Sequence, residues 1–119
     1  MTGRIEKLNA LIEVVFSGNH SDLKQEFVID TGFNGHLTLP RASIDMLDLE
    51  FRYDDQVTLA DNSVVQIEVY SANILWQGKL LSVTVFSSEM HPLLGTMLLA
   101  ESRLIAEFTT GGLVSVKAL

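Results

Sequence analysis

The chain contains no cysteine. A disulfide framework, a thiolate zinc site and a cysteine nucleophile are therefore excluded together. The same absence fits a reducing compartment. Proline is scarce, with 2 residues, and glycine is modest, with 8, in a chain of 119. That is not the composition of a disordered or low-complexity segment. Basic residues are few: 8 against 15 acidic ones, for a net charge of −7, and they are scattered from Arg4 to Lys117. Phosphate backbones are repelled on average, so no nucleic-acid partner is expected. No apolar run approaches the ~20 residues that cross a bilayer as a helix. The N-terminal stretch MTGRIEKLNALIEVVF mixes charges into its apolar residues and lacks the clean apolar centre of a signal peptide. No membrane partner and a soluble, cytoplasmic protein are expected.

What is present is a folding composition, 47% hydrophobic and 19% charged. It predicts one domain over residues 1–119 with its own core. Period-two alternation dominates. Leu8, Ala10, Ile12, Val14 and Phe16 fall at every second position within residues 4–16 and predict one strand face. The polar stretch from Ser17 to Asp22, which holds Asn19 and His20, predicts a turn. Residues 23–30 resume alternation, with Leu23, Phe27 and Ile29 against Lys24 and Glu26, and complete a hairpin. A short strand over 36–39 leads to Pro40. That proline pre-sets φ for the first turn of a helix over 41–47, with Ala42, Met46 and Leu47 facing inward.

β-Branched runs at 56–59 and 64–75 are separated by Ala60-Asp61-Asn62-Ser63, a turn composition. Gly78 breaks the pattern before another strand at 79–86. Thr96 is the expected N-cap of a helix over 97–102. Strands at 103–108 and 113–117 flank the turn pair Gly111-Gly112. Many short strands with turn signals between them predict an all-β small barrel or sandwich carrying one or two short helices.

The chemistry concentrates in Phe27-Val28-Ile29-Asp30-Thr31-Gly32. A carboxylate follows an apolar strand directly. An ionised Asp there is costly unless hydrogen bonds or a shared proton relieve it. Gly32 lets the backbone fold back so that amides reach the carboxylate. Alone, Asp-Thr-Gly is a modest signal, and its plain reading is an Asp-started turn. Here it combines with the long hairpin 56–76 and with Leu93-Leu94-Gly95 far downstream, ahead of a helix-like segment.

In that order and spacing, over about residues 8–108, the chain resembles the single-lobe retropepsin-like aspartic proteases. The resemblance implies a small closed barrel of the acid-protease type. It implies Asp30 as catalytic acid/base, with Thr31 anchoring the loop across the dimer axis through its hydroxyl and Gly32 giving tight backbone geometry. Leu94 and Gly95 then lie beneath that loop, and the 56–76 hairpin is a flap with Ala60, Asp61, Asn62 and Ser63 at its tip. Chemistry of this class needs two carboxylates sharing one proton. The chain supplies one Asp-Thr-Gly and is too short for two lobes, so the resemblance implies a homodimer with Asp30 of each copy at the two-fold axis. The substrate is then a peptide in extended conformation, with no cofactor and no metal. The C-terminal hairpin, with Leu113, Val114, Val116 and Leu119, either builds the interface with the N-terminal strand or closes the chain's own barrel.

Three departures are visible. Phe33-Asn34-Gly35 follows where viral members carry a small residue, and bulky Phe33 either narrows a substrate subsite or packs under the loop. The flap tip lacks glycine. Thr96 follows Leu-Leu-Gly where viral enzymes often place Arg. These features resemble the cellular, bacterial branch. They also leave open a catalytically silent domain of the same fold that binds peptide or dimerises. His20, His36 and His91 have no metal-ligand spacing. Asp54-Asp55 and the pair Asp45 and Asp48 lack that of a calcium loop.

Overall fold

The computed structural model describes residues 1–18 and 21–119. The expected turn at Ser17–Asp22 therefore falls partly outside, at Asn19 and His20. Ten strands and two short helices follow one another as β1 (Thr2–Glu6), β2 (Asn9–Phe16), β3 (Leu23–Ile29), β4 (Leu37–Leu39), α1 (Arg41–Leu47), β5 (Glu50–Thr58), β6 (Val64–Trp76), β7 (Lys79–Ser87), β8 (Leu93–Leu94), α2 (Thr96–Leu99), β9 (Ser102–Ala106) and β10 (Leu113–Ala118). The all-β expectation holds.

The strands form one hydrogen-bonded sheet in the order β5-β6-β7-β4-β8-β3-β2-β1-β10-β9, and a further β6–β2 pairing joins Val15 to Leu75. That pairing closes β2, β3, β8, β4, β7 and β6 into a ring. β5 hangs from one side of it, and β1, β10 and β9 from the other. Two of the ring pairings are parallel, β3 with β8 and β4 with β7. The C-terminal hairpin thus stands outside the ring. Val114 and Val116 are already buried within the chain, while Leu113 and Leu119 are exposed.

The core follows the alternation. Ala10, Ile12, Val14 and Phe16 on β2 are buried, together with Phe27, Leu37, Leu39, Ile74, Val83, Val85 and Leu94. Each large aliphatic or aromatic side chain removed from water contributes about 1.5–3 kcal/mol. Trp76 and Tyr70 also lie in this core. Tyr70 is tied outward by its hydroxyl, which accepts a hydrogen bond from Arg41 at 2.6 Å.

Several expectations are corrected. The strand expected over 4–16 is two strands joined by a tight turn at Lys7-Leu8. Both residues have left-handed backbones, with φ of 50° and 65°. The turn lacks Gly, Asn or Asp, so nothing in its composition marks it. Leu8 is therefore 75% exposed rather than part of the buried face. α1 spans the expected residues but turns a different side inward: Ile44 is buried, whereas Ala42 and Met46 are exposed and Leu47 is half-buried. Pro40 is the N-cap and not the first helical residue. Its ψ of 159° is extended. Its carbonyl accepts from Ser43 and Ile44 at 3.0 and 3.1 Å.

Thr96 does not cap α2. Gly95 occupies the N-cap, because the Thr96 hydroxyl is directed to the carbonyl oxygen of Phe33 and to Asn34 Oδ1, each at 3.3 Å. α2 also ends at Leu99, and Ser102 already opens β9. β5 begins at Glu50, six residues before the expected start.

A left-handed bulky residue costs about 1–2 kcal/mol relative to one that adopts that region freely. Leu8→Gly is therefore expected to raise stability by up to about 1 kcal/mol after the added chain entropy of glycine. Thermal unfolding of the variant beside the parent measures it.

Candidate functional site

β3 delivers Asp30 to the end of an apolar strand, and two segments distant in sequence fix it there. The Asp30 amide donates to the Leu94 carbonyl at 2.9 Å. Val28 and Ile29 pair in parallel with Leu93 and Leu94. Leu94 is fully buried, and on its other side it pairs antiparallel with Leu37 of β4. β8 is therefore a two-residue splint between the strand that enters the Asp30 loop and the strand that leaves it.

The loop itself is compact. The Asp30 carbonyl accepts from the Phe33 amide at 3.1 Å. Its carboxylate Oδ1 accepts from the Gly32 amide at 2.8 Å. The Gly95 and Thr96 amides donate at 2.9 and 2.8 Å to the carbonyls of His36 and Phe33. Asp-Thr-Gly and Leu-Leu-Gly are thus hydrogen-bonded together.

Gly95 is required by space. A Cβ there would lie 2.6 Å from both the Cδ2 and the carbonyl oxygen of Phe33, and closer still to the carbonyl oxygen of Gly35. The Phe33 ring is half-buried and packs edge-on against Phe86 at 5.9 Å between centroids. Phe33 therefore packs under the loop. Thr31 and Gly32 are exposed.

The Asp30 side chain is half-buried and lines a cleft of about 470 Å³. Leu11, Val28, Ile29 and Leu93 give it an apolar wall. Glu6 and Lys7 bring charge to its edge, which His91 also lines. Lys7 and His91 could not be assigned to this site from sequence, since Lys7 reaches it only through the unmarked turn between β1 and β2.

The hairpin expected as a flap is present as β5 and β6. Its tip is closed by hydrogen bonds from the Leu59 amide to the Ser63 carbonyl at 2.8 Å and from the Asn62 amide to the Leu59 carbonyl at 2.9 Å. Asp61 is occupied locally: its Oδ1 accepts from the Ser63 amide and hydroxyl. Those bonds favour the ionised carboxylate and hold it below the usual range. Asn62 takes the left-handed conformation, φ 67°, that lets the turn close. Ala60, Asp61, Asn62 and Ser63 are exposed and do not line the cleft that holds Asp30. The structure brings Asp30, Thr31, Gly32, Phe33, Leu94 and Gly95 together and leaves the four tip residues apart.

Among the described residues no group of three or more His, Asp or Glu side chains is placed to hold a metal. Among them, too, no helix is long and apolar enough to cross a membrane. No family model, no curated protein and no solved structure matches this chain.

Proposed function

We propose that two copies of this chain form an aspartic endopeptidase of the retropepsin-like type, with the two Asp30 side chains sharing one proton at the dimer axis. The observation that carries the reading is the seating of the Asp30 loop. Its amide is bonded to the Leu94 carbonyl and its carboxylate to the Gly32 amide, with the side chain at a partly apolar cleft. A reactive carboxylate has to be held rigidly and still reached by water, and this loop meets both conditions.

In the mechanism, the ionised Asp30 takes a proton from water. The water oxygen attacks the scissile carbonyl carbon. The protonated Asp30 of the other copy donates to the carbonyl oxygen. Collapse of the tetrahedral adduct breaks the C–N bond as one of its hydroxyls returns a proton to the Asp30 that donated, and the proton taken from water passes to the leaving amine. The apolar wall of the cleft suits the side chains of an extended peptide. The β5–β6 hairpin is the element to cover it once the second copy is in place. A cytoplasmic setting agrees with the cysteine-free composition.

A second reading, a silent peptide-binding or dimerisation module of the same fold, is favoured by one observation. The flap tip is closed on itself through Asp61 and stands apart from the Asp30 cleft in the single chain. Hydrolysis of a peptide library at about pH 4–6, with and without a pepstatin-like transition-state analogue, separates the two. Because the site needs two chains, specific activity is expected to fall on dilution, in step with the dimer fraction measured by sedimentation. Inhibitable cleavage that follows the dimer supports the enzyme. A verified dimer that cleaves nothing across that range supports the module.

A further inference from the structure

His36 stands where the Asp30 loop rejoins the sheet, one residue before the first β4–β7 pair, Leu37 with Val85. Its backbone carbonyl accepts from the Gly95 amide at 2.9 Å. Its ring Nδ1 accepts from the Thr84 amide on β7 at 3.0 Å. The Thr84 hydroxyl lies 3.2 Å from the same nitrogen. The ring thus fills the place of a backbone acceptor at the end of the parallel ladder. One residue ties the far end of the loop to β7 through its side chain and to the Leu-Leu-Gly segment through its main chain.

This clamp has a protonation requirement. An amide N–H can donate to Nδ1 only while that nitrogen keeps its lone pair, so the ring is neutral with its proton on Nε2. A protonated ring carries N–H groups at both nitrogens and sets one against the Thr84 amide. The charged groups facing His36 do not offset this. Across the adjoining groove lie Glu50, Arg52 and Tyr53 of β5, while β6 and β7 line it with the uncharged Ser71, Asn73, Ser82, Val83 and Thr84. Glu50 and Arg52 pair with each other at 3.4 Å. Half-burial lowers the ring's proton affinity below the ordinary value of 6.5.

We propose that neutral His36 is a positioning residue for the Asp30 loop, and that protonating it releases the loop from β7 and sets the acid limit of activity. The part that concerns activity rests on the endopeptidase reading; the clamp itself does not. The sign follows from the lowered proton affinity. The unfolded chain binds a proton at His36 more readily than the folded chain. Stability is thus full above the ordinary histidine range and is lost as pH falls through it toward the lower folded value.

The test compares the parent with His36→Asn and His36→Ala. Asparagine keeps an acceptor near the position of Nδ1 and cannot be protonated. Thermal stability of the parent is expected to fall from about pH 7 to pH 5, and that of His36→Asn to fall clearly less. All other titrating groups are common to both proteins and cancel. The Thr84 and Gly95 amide resonances are expected to move with the His36 titration in the parent. In hydrolysis, the acid limb of His36→Asn is expected to lie about one pH unit lower. His36→Ala is expected to be less stable throughout; if it fails to fold, His36→Asn carries the test. Equal pH dependence of stability in the parent and His36→Asn, or amides of Thr84 and Gly95 indifferent to the titration, overturns the clamp. Absence of cleavage in every protein overturns the endopeptidase reading instead, and leaves the stability and resonance data to decide the clamp.

Discussion

Asp30→Asn is expected to reduce peptide hydrolysis by about 10³-fold while leaving the fold intact. Asparagine is nearly isosteric, and its Oδ1 can still accept from the Gly32 amide that now donates to the carboxylate at 2.8 Å. What it cannot do is take a proton from water or hold one for the carbonyl. Asp61→Asn is the matched control. Asp61 is also a carboxylate in a turn, but its bonds end within the flap tip, on Ser63. Its substitution is expected to change kcat by less than about threefold, any effect of the flap tip on substrate binding falling on KM. Steady-state rates, with circular dichroism to verify folding, decide between them. A protein that keeps its rate without Asp30 removes the carboxylate chemistry altogether.

The second large effect is structural. Gly95→Ala is expected to cost about 3 kcal/mol or more and to lower the melting temperature by roughly 10 °C or more. The added methyl meets the carbonyl oxygens of Phe33 and Gly35 as well as the Phe33 ring, so moving the ring alone does not relieve it. Relief would require moving the 33–36 segment off β8, the contact on which the Asp30 loop is seated. Gly78→Ala is the comparison. Gly78 sits in the turn between β6 and β7 at φ +81°, with nothing within 4 Å of the added carbon. Its cost is confined to the left-handed backbone, about 1 kcal/mol. Calorimetry on the two variants tests whether Gly95 is held by space. A Gly95→Ala protein melting within a degree or two of the parent would mean that the Asp30 loop is not packed on it.

The strand content was legible because one face of most strands enters the core, and period two then shows in the sequence. β2 is the clearest case. Where no face is buried the signal vanishes. β5 exposes Phe51 and Tyr53 as well as Glu50, Arg52, Asp54 and Asp55, so the brief alternation Phe51-Arg52-Tyr53-Asp54 marks no buried face and is lost among the charges. The face of α1 is not legible for a related reason: over seven residues several apolar stripes fit equally well, and packing selects Ile44. In the candidate site, Asp30 and Gly32 were legible through the Asp-Thr-Gly tripeptide at a strand end, and Gly95 belongs to a position where close backbone packing leaves no room for a side chain. Lys7, His36 and His91 were not. Their roles come from neighbours remote in the chain, Thr84 for His36 and the cleft wall for the other two. No local pattern encodes such a neighbour.

The splinting of Asp30 by β8 also bears on how the molecule is reached from the unfolded chain. Phe33 and Thr96, bonded across this junction, lie 63 residues apart in sequence. Closing so long a span is entropically unfavourable until much of the intervening sheet exists. The β2–β3 and β6–β7 hairpins join near neighbours and can form early. The parallel pairings of β8 and β4 cannot. In refolding, the Asp30 loop is accordingly among the last regions to acquire amide protection, and catalytic competence trails the bulk of the sheet signal.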